Sequence, residues 1–495
     1  MATVKEITTM CKSGNISAAY EQAKSDLNAN PLGVWEQRGL GWTLYYIIKS
    51  DVEQNNYDAL LAHLDELNNL EQLTVANDSL IFDNVIFKIG EFIKNCIDLD
   101  DVDSPVKLSA IFSRLKNYTF NPSRGYSFLL QGFLKFESWG ELADFFDWWN
   151  LDNLSQEDYT PFVTQNGRQI MSLAERAFIA YSKALLRLND TARIEEFLPR
   201  MDALMDSHPE MTYPGYFYGK LLMALGGDKD EALKVLVPFA RRKATEFWVW
   251  QLISDVYSSE PEMQRACLLR SVNSRTKEAF LGKVRIKLAN LYIQLGQYDK
   301  ARFHIDAVTR CYASNGWRLP NEIDLWMRQP WINFATPDST DSLDYMTLTN
   351  QILCNGSEEA VAIVTYVDPN SHRASLIYGN KKRMGQKLRF KVNPGDVLKI
   401  NFINDSDGKA KVINASKISL PLNLDYAMFA EGVVDKREDK LFAFVKVGQN
   451  RCFMSPSVVQ KFNVCNGESI KTLIVYDYDK KKETWNWVCL TIKRN

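Results

Sequence analysis

With 495 residues, 46% of them apolar and 24% charged, the chain has the composition of about three or four globular domains and not that of a disordered protein. No apolar run approaches the roughly 18–20 residues that span a bilayer, and no basic region followed by an apolar core opens the sequence. We therefore expect no membrane segment, no signal peptide and a cytoplasmic location. The net charge of −2 conceals an asymmetry, because residues from Tyr345 onward carry 23 lysines and arginines against 15 acids while the rest carry 36 against 46. The basic C-terminal part is thus the candidate for nucleic-acid binding.

The first 316 residues carry a helical period with small residues at fixed places. In Gly282–Val308, the places that a tetratricopeptide repeat (TPR) reserves for small or large residues are filled by Leu288, Ala289, Tyr292, Gly296, Tyr298, Ala301 and Ile305. Small side chains let antiparallel helices approach, and large ones fill the gap to the neighbouring pair. The pattern resembles that family and predicts a TPR-like α-solenoid over residues 1–316, irregular around 96–172.

The irregular part contains the aromatic and acidic patch Asp147–Leu151. This patch is either a binding surface or part of the packing between helices. The three- and four-residue spacing of the aromatic residues around it favours packing. Residues 317–344 then break the helical period with Pro320, Pro330 and Pro337. They predict a capping segment followed by a linker.

After the linker the period changes from helical to alternating, which predicts a β-domain over residues 345–422. Its strands are predicted at Ala360–Val367, Arg373–Tyr378, Leu388–Val392, Val397–Phe402 and Lys411–Ile418. The turn Pro394-Gly395-Asp396 is similar to one in cold-shock and S1-type barrels, so we expect a first OB-type barrel. Its candidate nucleic-acid-binding residues, with few rings among them, are Tyr366, Arg373, Tyr378, Lys381 and Lys382.

A second barrel is predicted over residues 423–495, and its clearest pattern lies in Glu431–Ser455. One side of the predicted strand is aliphatic, with Leu441, Ala443, Val445 and Val447, and the other carries Phe442, Phe444 and Lys446. After a turn at Gly448-Gln449-Asn450, the aromatic and polar side continues with Arg451, Phe453 and Ser455. A small barrel buries its aliphatic side, so the rings left outside beside cations suit the stacking of single-stranded bases.

Two segments of this domain resemble the RNA-binding motifs of the cold-shock domain. Lys440–Val445 is similar to the first motif (Lys-Gly-Phe-Gly-Phe-Ile), and Cys452–Ser455 is similar to the second (Val-Phe-Val-His). The family's exposed tryptophan, its neighbouring phenylalanine and its histidine fall on Lys436, Arg437 and Ser455, which favours contact with the nucleic-acid backbone. The candidate nucleic-acid-binding residues are Lys436, Arg437, Lys440, Phe442, Phe444, Lys446, Arg451, Phe453 and Ser455. The basic run at 480–482 is either a solvated hairpin tip or a further phosphate contact.

The sequence predicts no catalytic or metal site. Its four histidines are far apart in sequence, none has a cysteine or histidine at metal-ligand spacing, and His304 lies on a repeat helix where a structural role is expected. The eight cysteines are scattered without a Cys-x-x-Cys motif, as expected of free thiols in a reducing compartment. We therefore expect a non-enzymatic protein without a cofactor or metal.

Helical repeats followed by two S1/cold-shock-like barrels resemble the components of bacterial TOTE conflict systems. The resemblance implies a role in defence against phage or plasmids, alongside a helicase, nuclease or primase. On this reading the solenoid binds a partner protein, and the barrels bind single-stranded RNA or DNA. The alternative is a protein-only scaffold in which the OB barrels dock another protein.

Overall fold

The structure, a computed structural model, describes residues 2–405, 408–419, 423–479 and 483–493; the basic run at 480–482 lies outside these ranges. The chain divides into two compact units, Met1–Phe239 and Ala240–Asn495. Helices dominate up to Cys354 and β-sheets follow, which confirms the predicted fold class of α followed by OB-type β. The TPR character of the helix pairs stays a prediction. Within the described ranges, no helix has the length and apolar content needed to cross a bilayer.

The first unit consists of helices and one short antiparallel hairpin. The elements are α1 (Val4–Lys12), α2 (Ile16–Ala29), α3 (Val34–Glu53), α4 (Tyr57–Asn68), α5 (Ser79–Cys96), α6 (Ser104–Leu115), α7 (Arg124–Phe133), α8 (Leu142–Trp149), β1 (Phe162–Val163), β2 (Gln169–Ile170), α9 (Leu173–Leu188), α10 (Thr191–Ser207), α11 (Pro214–Ala224) and α12 (Lys229–Arg242), whose residues from Ala240 onward, including Arg241, belong to the second unit.

The aromatic patch of this unit serves the packing of its helices. Trp149 is buried and stacks on Tyr126, with ring centroids 4.1 Å apart. Trp148 is half-buried, and its indole N–H donates to the carbonyl of Tyr118 at 3.0 Å. Both indoles therefore belong to the packed interior, the second of the two readings that the sequence left open.

The second unit begins with further helices. They are α13 (Phe247–Val256), α14 (Pro261–Val272), α15 (Gly282–Gln294), α16 (Tyr298–Asn315), α17 (Asn321–Met327) and α18 (Tyr345–Cys354). Much of the predicted cap packs on α16, where Ile323 and Ile332 are buried and Trp331 stacks on Tyr298 with ring centroids 4.9 Å apart. Phe334, by contrast, is 86% exposed.

Helix α18 occupies the start of the region predicted to be the first barrel, and it is anchored to the helices by two arginines. Arg270 on α14 donates to Thr349 Oγ1 at 2.8 Å and to Asn350 Oδ1 at 3.0 Å. Arg241 donates to the carbonyls of Leu353, at 2.8 Å, and Asn355. The strands of the first β-domain consequently begin only after this helix.

The first β-domain is a five-stranded antiparallel sheet. Its strands are β3 (Glu358–Val367), β4 (Arg373–Gly379), β5 (Lys382–Lys387), β6 (Val397–Asn404) and β7 (Ala410–Lys417), in the order β5-β4-β3-β6-β7. This is the strand order of an OB fold, although in the described residues no ladder joins the edge strands β5 and β7. The prediction of a strand at Leu388–Val392 is wrong, because the third strand is the polar Lys382–Lys387. Residues 388–392 pack on the core without pairing to a strand.

The second β-domain is a closed barrel. A short strand β8 (Asn423–Leu424) leads into β9 (Ala427–Asp435), β10 (Ala443–Val447), β11 (Asn450–Met454), helix α19 (Pro456–Phe462), β12 (Ser469–Asp479) and β13 (Thr484–Lys493). The ladder runs β9-β10-β11-β13-β12 and returns to β9, with β11 and β13 parallel, which is OB topology. Ala443 and Val445 point into the core as predicted, but Leu441 does not, because the strand starts two residues later and leaves Leu441 80% exposed.

The two β-domains pack on each other through apolar side chains. Ile363 and Ile377 point away from the core of their own sheet and meet Leu473 and Val475 of the barrel. The hydroxyl of Tyr426 donates to the carbonyl of Val361 at 2.8 Å. The outer face of β3 and β4 is thus partly covered by the second barrel.

Candidate nucleic-acid interface

The predicted aromatic residues lie on the outer face of β9, β10 and β11. Phe444 on β10 stands opposite Asp435 on β9 and Phe453 on β11, and Lys446 stands opposite Val433 and Arg451 in the next row of that face. Because side chains alternate along a strand, this register places both rows outside, while Ala443, Val445 and Cys452 fill the core. We call this outer surface the aromatic face; it also includes Phe442.

The three phenylalanines of the aromatic face contact one another. Ring centroids lie 5.8 Å apart for Phe442 and Phe444, 5.7 Å for Phe442 and Phe453, and 5.9 Å for Phe444 and Phe453. The rings are T-shaped or tilted, the arrangement that aromatic quadrupoles favour. All three side chains are only half-buried, so the cluster keeps surface open to solvent.

Arg451 joins the aromatic face to a carboxylate. Its guanidinium carbon lies 4.0 Å from the centroid of the Phe444 ring, a cation–π contact. Its Nη2 donates to Asp435 Oδ2 at 3.2 Å, and the ammonium of Lys446 lies 3.9 Å from the same oxygen. Asp435 therefore lies between two cations at the side of the rings.

A small cavity of about 200 Å³ opens beside these groups. Its lining combines two rings, three cations and one carboxylate: Asp435, Arg437, Lys440, Phe442, Phe444 and Arg451. Arg437 and Lys440 are exposed, and Lys440 lies 3.3 Å from the adjacent Asp439. The cavity thus presents both aromatic and charged side chains to solvent.

Two of the predicted residues are engaged by the protein itself. The ammonium of Lys436 donates to the carbonyl of Val464 at 3.2 Å, and the backbone N–H of Lys436 donates to Asn466 at 2.9 Å. Ser455 caps α19, with its Oγ accepting from the backbone N–H of Val458 at 3.4 Å. Their predicted roles in nucleic-acid binding remain predictions, but both side chains already have structural partners.

The candidate residues of the first β-domain are not gathered into a comparable site. Tyr366 is 54% exposed on β3, whereas the Tyr378 ring packs against Phe402 with centroids 5.0 Å apart. Arg373 donates to the carbonyl of Gly385 at 2.8 Å. Lys381 and Lys382 lie at the β4–β5 turn, where Lys381 has a positive φ of 56°. We find no cluster of rings with a cationic rim among these residues.

Asp435 was missed by the sequence reasoning, which gave it no role. The signal was present in the alternation of β9, since Gly432 and Val434 point inward and Val433 and Asp435 therefore point outward. In the described part of the chain, no group of three or more histidine, cysteine, aspartate or glutamate side chains is placed to hold a metal ion.

Comparison with known families agrees with the barrel topology. Residues 430–492 match a family model described as S1/CSD-like domain 2 of the TOTE conflict systems. Residues 212–350 match a model described as a domain of unknown function, DUF7017. No curated protein matched the chain. The aromatic face lies almost entirely within the first of these matches.

Proposed function

We propose that this chain is a non-enzymatic adaptor of a bacterial conflict system, whose second barrel binds single-stranded RNA or DNA and whose helical region binds a partner protein. The conflict-system assignment is supported by the match of residues 430–492 to an S1/CSD-like domain of the TOTE systems. A helicase, nuclease or primase of the same system is the proposed kind of partner for the helical region.

The observation that carries the nucleic-acid proposal is the composition of the aromatic face. Half-buried rings of Phe442, Phe444 and Phe453 lie beside exposed cations, among them Arg437, Lys440, Lys446 and Arg451. Single-strand binding proteins combine aromatic stacking, worth about 1–3 kcal/mol per base, with a cationic track for phosphates. The face supplies both components on one side of a closed barrel.

A protein-only scaffold is the competing function, and one observation favours it for the first β-domain. The outer face of β3 and β4 buries Ile363 and Ile377 against the second barrel, so that sheet already docks a protein surface. We therefore assign nucleic-acid binding to the second barrel and give the first β-domain the role of its support.

The proposal is tested by fluorescence anisotropy with the full-length chain and labelled mixed-sequence single strands of RNA and DNA, over a range of salt concentrations. We expect binding that weakens with salt, and a loss of about tenfold or more in Phe444→Leu/Phe453→Leu. The matched control is Phe334→Leu, which makes the same change at an exposed ring outside the aromatic face. Absence of binding at low salt would leave the protein-only scaffold.

A further inference from the structure

A carboxylate on a surface meant for a polyanion requires an explanation. Asp435 stands in the central row of the aromatic face, opposite Phe444, and its side chain is 33% exposed. A negative charge here repels the phosphates that the neighbouring cations attract. Its position is easier to understand if the carboxylate contacts the base of a bound nucleotide instead of the backbone.

The carboxylate retains capacity for further hydrogen bonds. An ionised carboxylate has two oxygens with about four acceptor positions. Within the described residues, Asp435 accepts one hydrogen bond, from Arg451 at 3.2 Å, and the Lys446 ammonium lies farther away at 3.9 Å. Since Asp435 also lines the cavity of about 200 Å³, a ligand there can reach it.

The chemistry of the cavity selects among the four bases. A carboxylate can only accept, so the base edge that meets it must present two adjacent donors to be held in a bidentate way. Guanine does so with N1–H and the N2 amino group, whereas adenine and cytosine place an acceptor nitrogen beside their amino group, and uracil places a carbonyl on each side of N3–H. Single-stranded bases are commonly read on these edges.

The other side of guanine fits the same lining. Its O6 and N7 are acceptors that arginine and lysine side chains recognise, and Arg437 and Lys440 line the cavity together with Asp435. The rings of Phe442 and Phe444 offer apolar surface for stacking. We infer that this cavity takes a guanine base of a bound single strand, with Asp435 as the specificity-determining residue; the inference rests on the proposed function.

The experiment compares short labelled oligouridylates that differ at one central position, using the full-length chain and anisotropy. The central base is uridine, guanosine or inosine, which keeps N1–H and lacks the N2 amino group. We expect the guanosine strand to bind about tenfold more tightly than the uridine strand, as one good bidentate pair provides. Inosine should lose most of that advantage.

The variants separate base reading from other roles of Asp435. In Asp435→Asn the preference for guanosine should disappear, so that the guanosine and uridine strands bind with equal affinity; a preference that remains would overturn the inference. Asp439→Asn, the same change at a neighbouring acid of the β9–β10 loop, should keep the preference. Arg451→Gln should weaken both strands equally; loss of the preference there would mean that Asp435 acts only by holding Arg451, and would overturn the inference.

Two results distinguish failure of the inference from failure of the proposed function. If wild-type protein binds the uridine and guanosine strands equally well, the proposed function stands and guanine reading is excluded. If it binds neither strand at low salt, both are excluded. Asp435→Ser serves as a second variant should Asp435→Asn fail to fold, with the same expected loss of preference.

Discussion

Arg451 has two contacts on the aromatic face, since its guanidinium lies over the Phe444 ring and also donates to Asp435. The flat guanidinium can itself stack on a base, which an ammonium cannot do in the same way. At this position, therefore, shape matters as well as charge.

Arg451→Lys tests that distinction, because it keeps the charge and removes the planar fork. We expect single strands to bind several-fold more weakly, in line with roughly 0.5–2 kcal/mol for a cation–π contact, with an unchanged slope of affinity against salt. Lys446→Gln removes a charge, so here the slope of affinity against salt should fall by about 0.7, the value for one phosphate contact on a single strand. Anisotropy titrations at several salt concentrations measure both quantities, and equal slopes in the two variants would contradict this account.

His304 is a buried histidine that the fold keeps neutral. Its ring lies parallel to that of Tyr292, and Arg285 Nη1 is 3.1 Å from its Nδ1. Because arginine only donates, Nδ1 accepts, and the neutral ring carries its proton on Nε2. Burial, helped by the charge of Arg285, lowers the pKa of His304 to about 3.

This lowered pKa predicts a pH-dependent stability of the α15–α16 pair. The unfolded chain protonates His304 near its usual pKa of about 6.5, and the folded chain does so only near pH 3. The contribution of the neutral His304 ring to stability is therefore complete above pH 6.5 and is lost as the pH falls toward 3. The slope is about 1.4 kcal/mol per pH unit inside that window. Hydrogen-exchange protection of α15 and α16 at pH 7 and pH 5 measures it. His304→Gln should remove the difference and the exposed His372→Gln should preserve it; an equal difference in both variants would exclude His304 as the cause.

At the scale of elements, the closure of the second barrel depends on a close approach of β9 and β10. A Cβ added at Gly432 would lie 2.5 Å from the carbonyl oxygen of Lys446 and 2.7 Å from a methyl of Val445. Backbone cannot yield as a flexible side chain does, so the strands would have to separate.

Gly432→Ala is therefore expected to destabilise the barrel by about 1–3 kcal/mol, the usual cost of overpacking. Gly140→Ala is the matched control, because nothing lies within 4 Å of the added Cβ there. Hydrogen exchange of β9 and β10 should accelerate in the first variant only. Unchanged hydrogen-exchange protection of β9 and β10 in Gly432→Ala would show that the two strands can accommodate the added methyl group.

The docking of α18 depends on a buried cation that donates hydrogen bonds to a hydroxyl and an amide oxygen. Arg270 is 7% exposed, lies 3.9 Å from the centroid of the Trp250 ring, and donates to Thr349 and Asn350. Burial, with a contribution from Arg389, lowers its pKa to about 10, so it stays charged at neutral pH.

Arg270→Ala is expected to release α18 locally, because each lost hydrogen bond to a charged group is worth roughly 1.5–3 kcal/mol. Faster hydrogen exchange in Tyr345–Cys354, with α14 still protected, is the expected signature. Arg328→Ala, at a side chain that is 72% exposed, serves as the control. Exchange of α18 that matches wild type would show that Arg241 and apolar packing suffice.

Predictability from sequence differed between the two β-domains for a physical reason. In β10 and β11, small or aliphatic residues alternate with rings and cations. This alternation predicts the strands and also which side chains point into the core and which point outward. In β5 only Met384 is buried, and a strand of mostly polar residues has no such alternation. Leu388, Phe390 and Val392 do alternate and do pack on the core, but they pair with no strand. Cross-strand partners such as Asp435 and Phe444 could not be predicted before the register was known.

For the molecule as a whole, the distribution of charge and the packing of the β-domains both favour nucleic-acid binding by the second barrel. The basic balance lies after residue 345, and within that part the first β-domain turns its β3–β4 face toward the second barrel. Arg383 of β5 adds an ion pair with Asp477 of β12 at 3.2 Å, where burial raises the pKa of Asp477. The aromatic face is consequently the one cluster of rings and cations in the described β-domains that we assign to nucleic acid.

Photocrosslinking tests that assignment most directly. A mixed-sequence strand carrying 4-thiouridine is irradiated with the full-length chain, and the linked peptides are identified by mass spectrometry. We expect links to Phe442, Phe444 and Phe453, and their loss in Phe444→Leu/Phe453→Leu but not in Phe334→Leu. Links confined to the helices or to the first β-domain would contradict it.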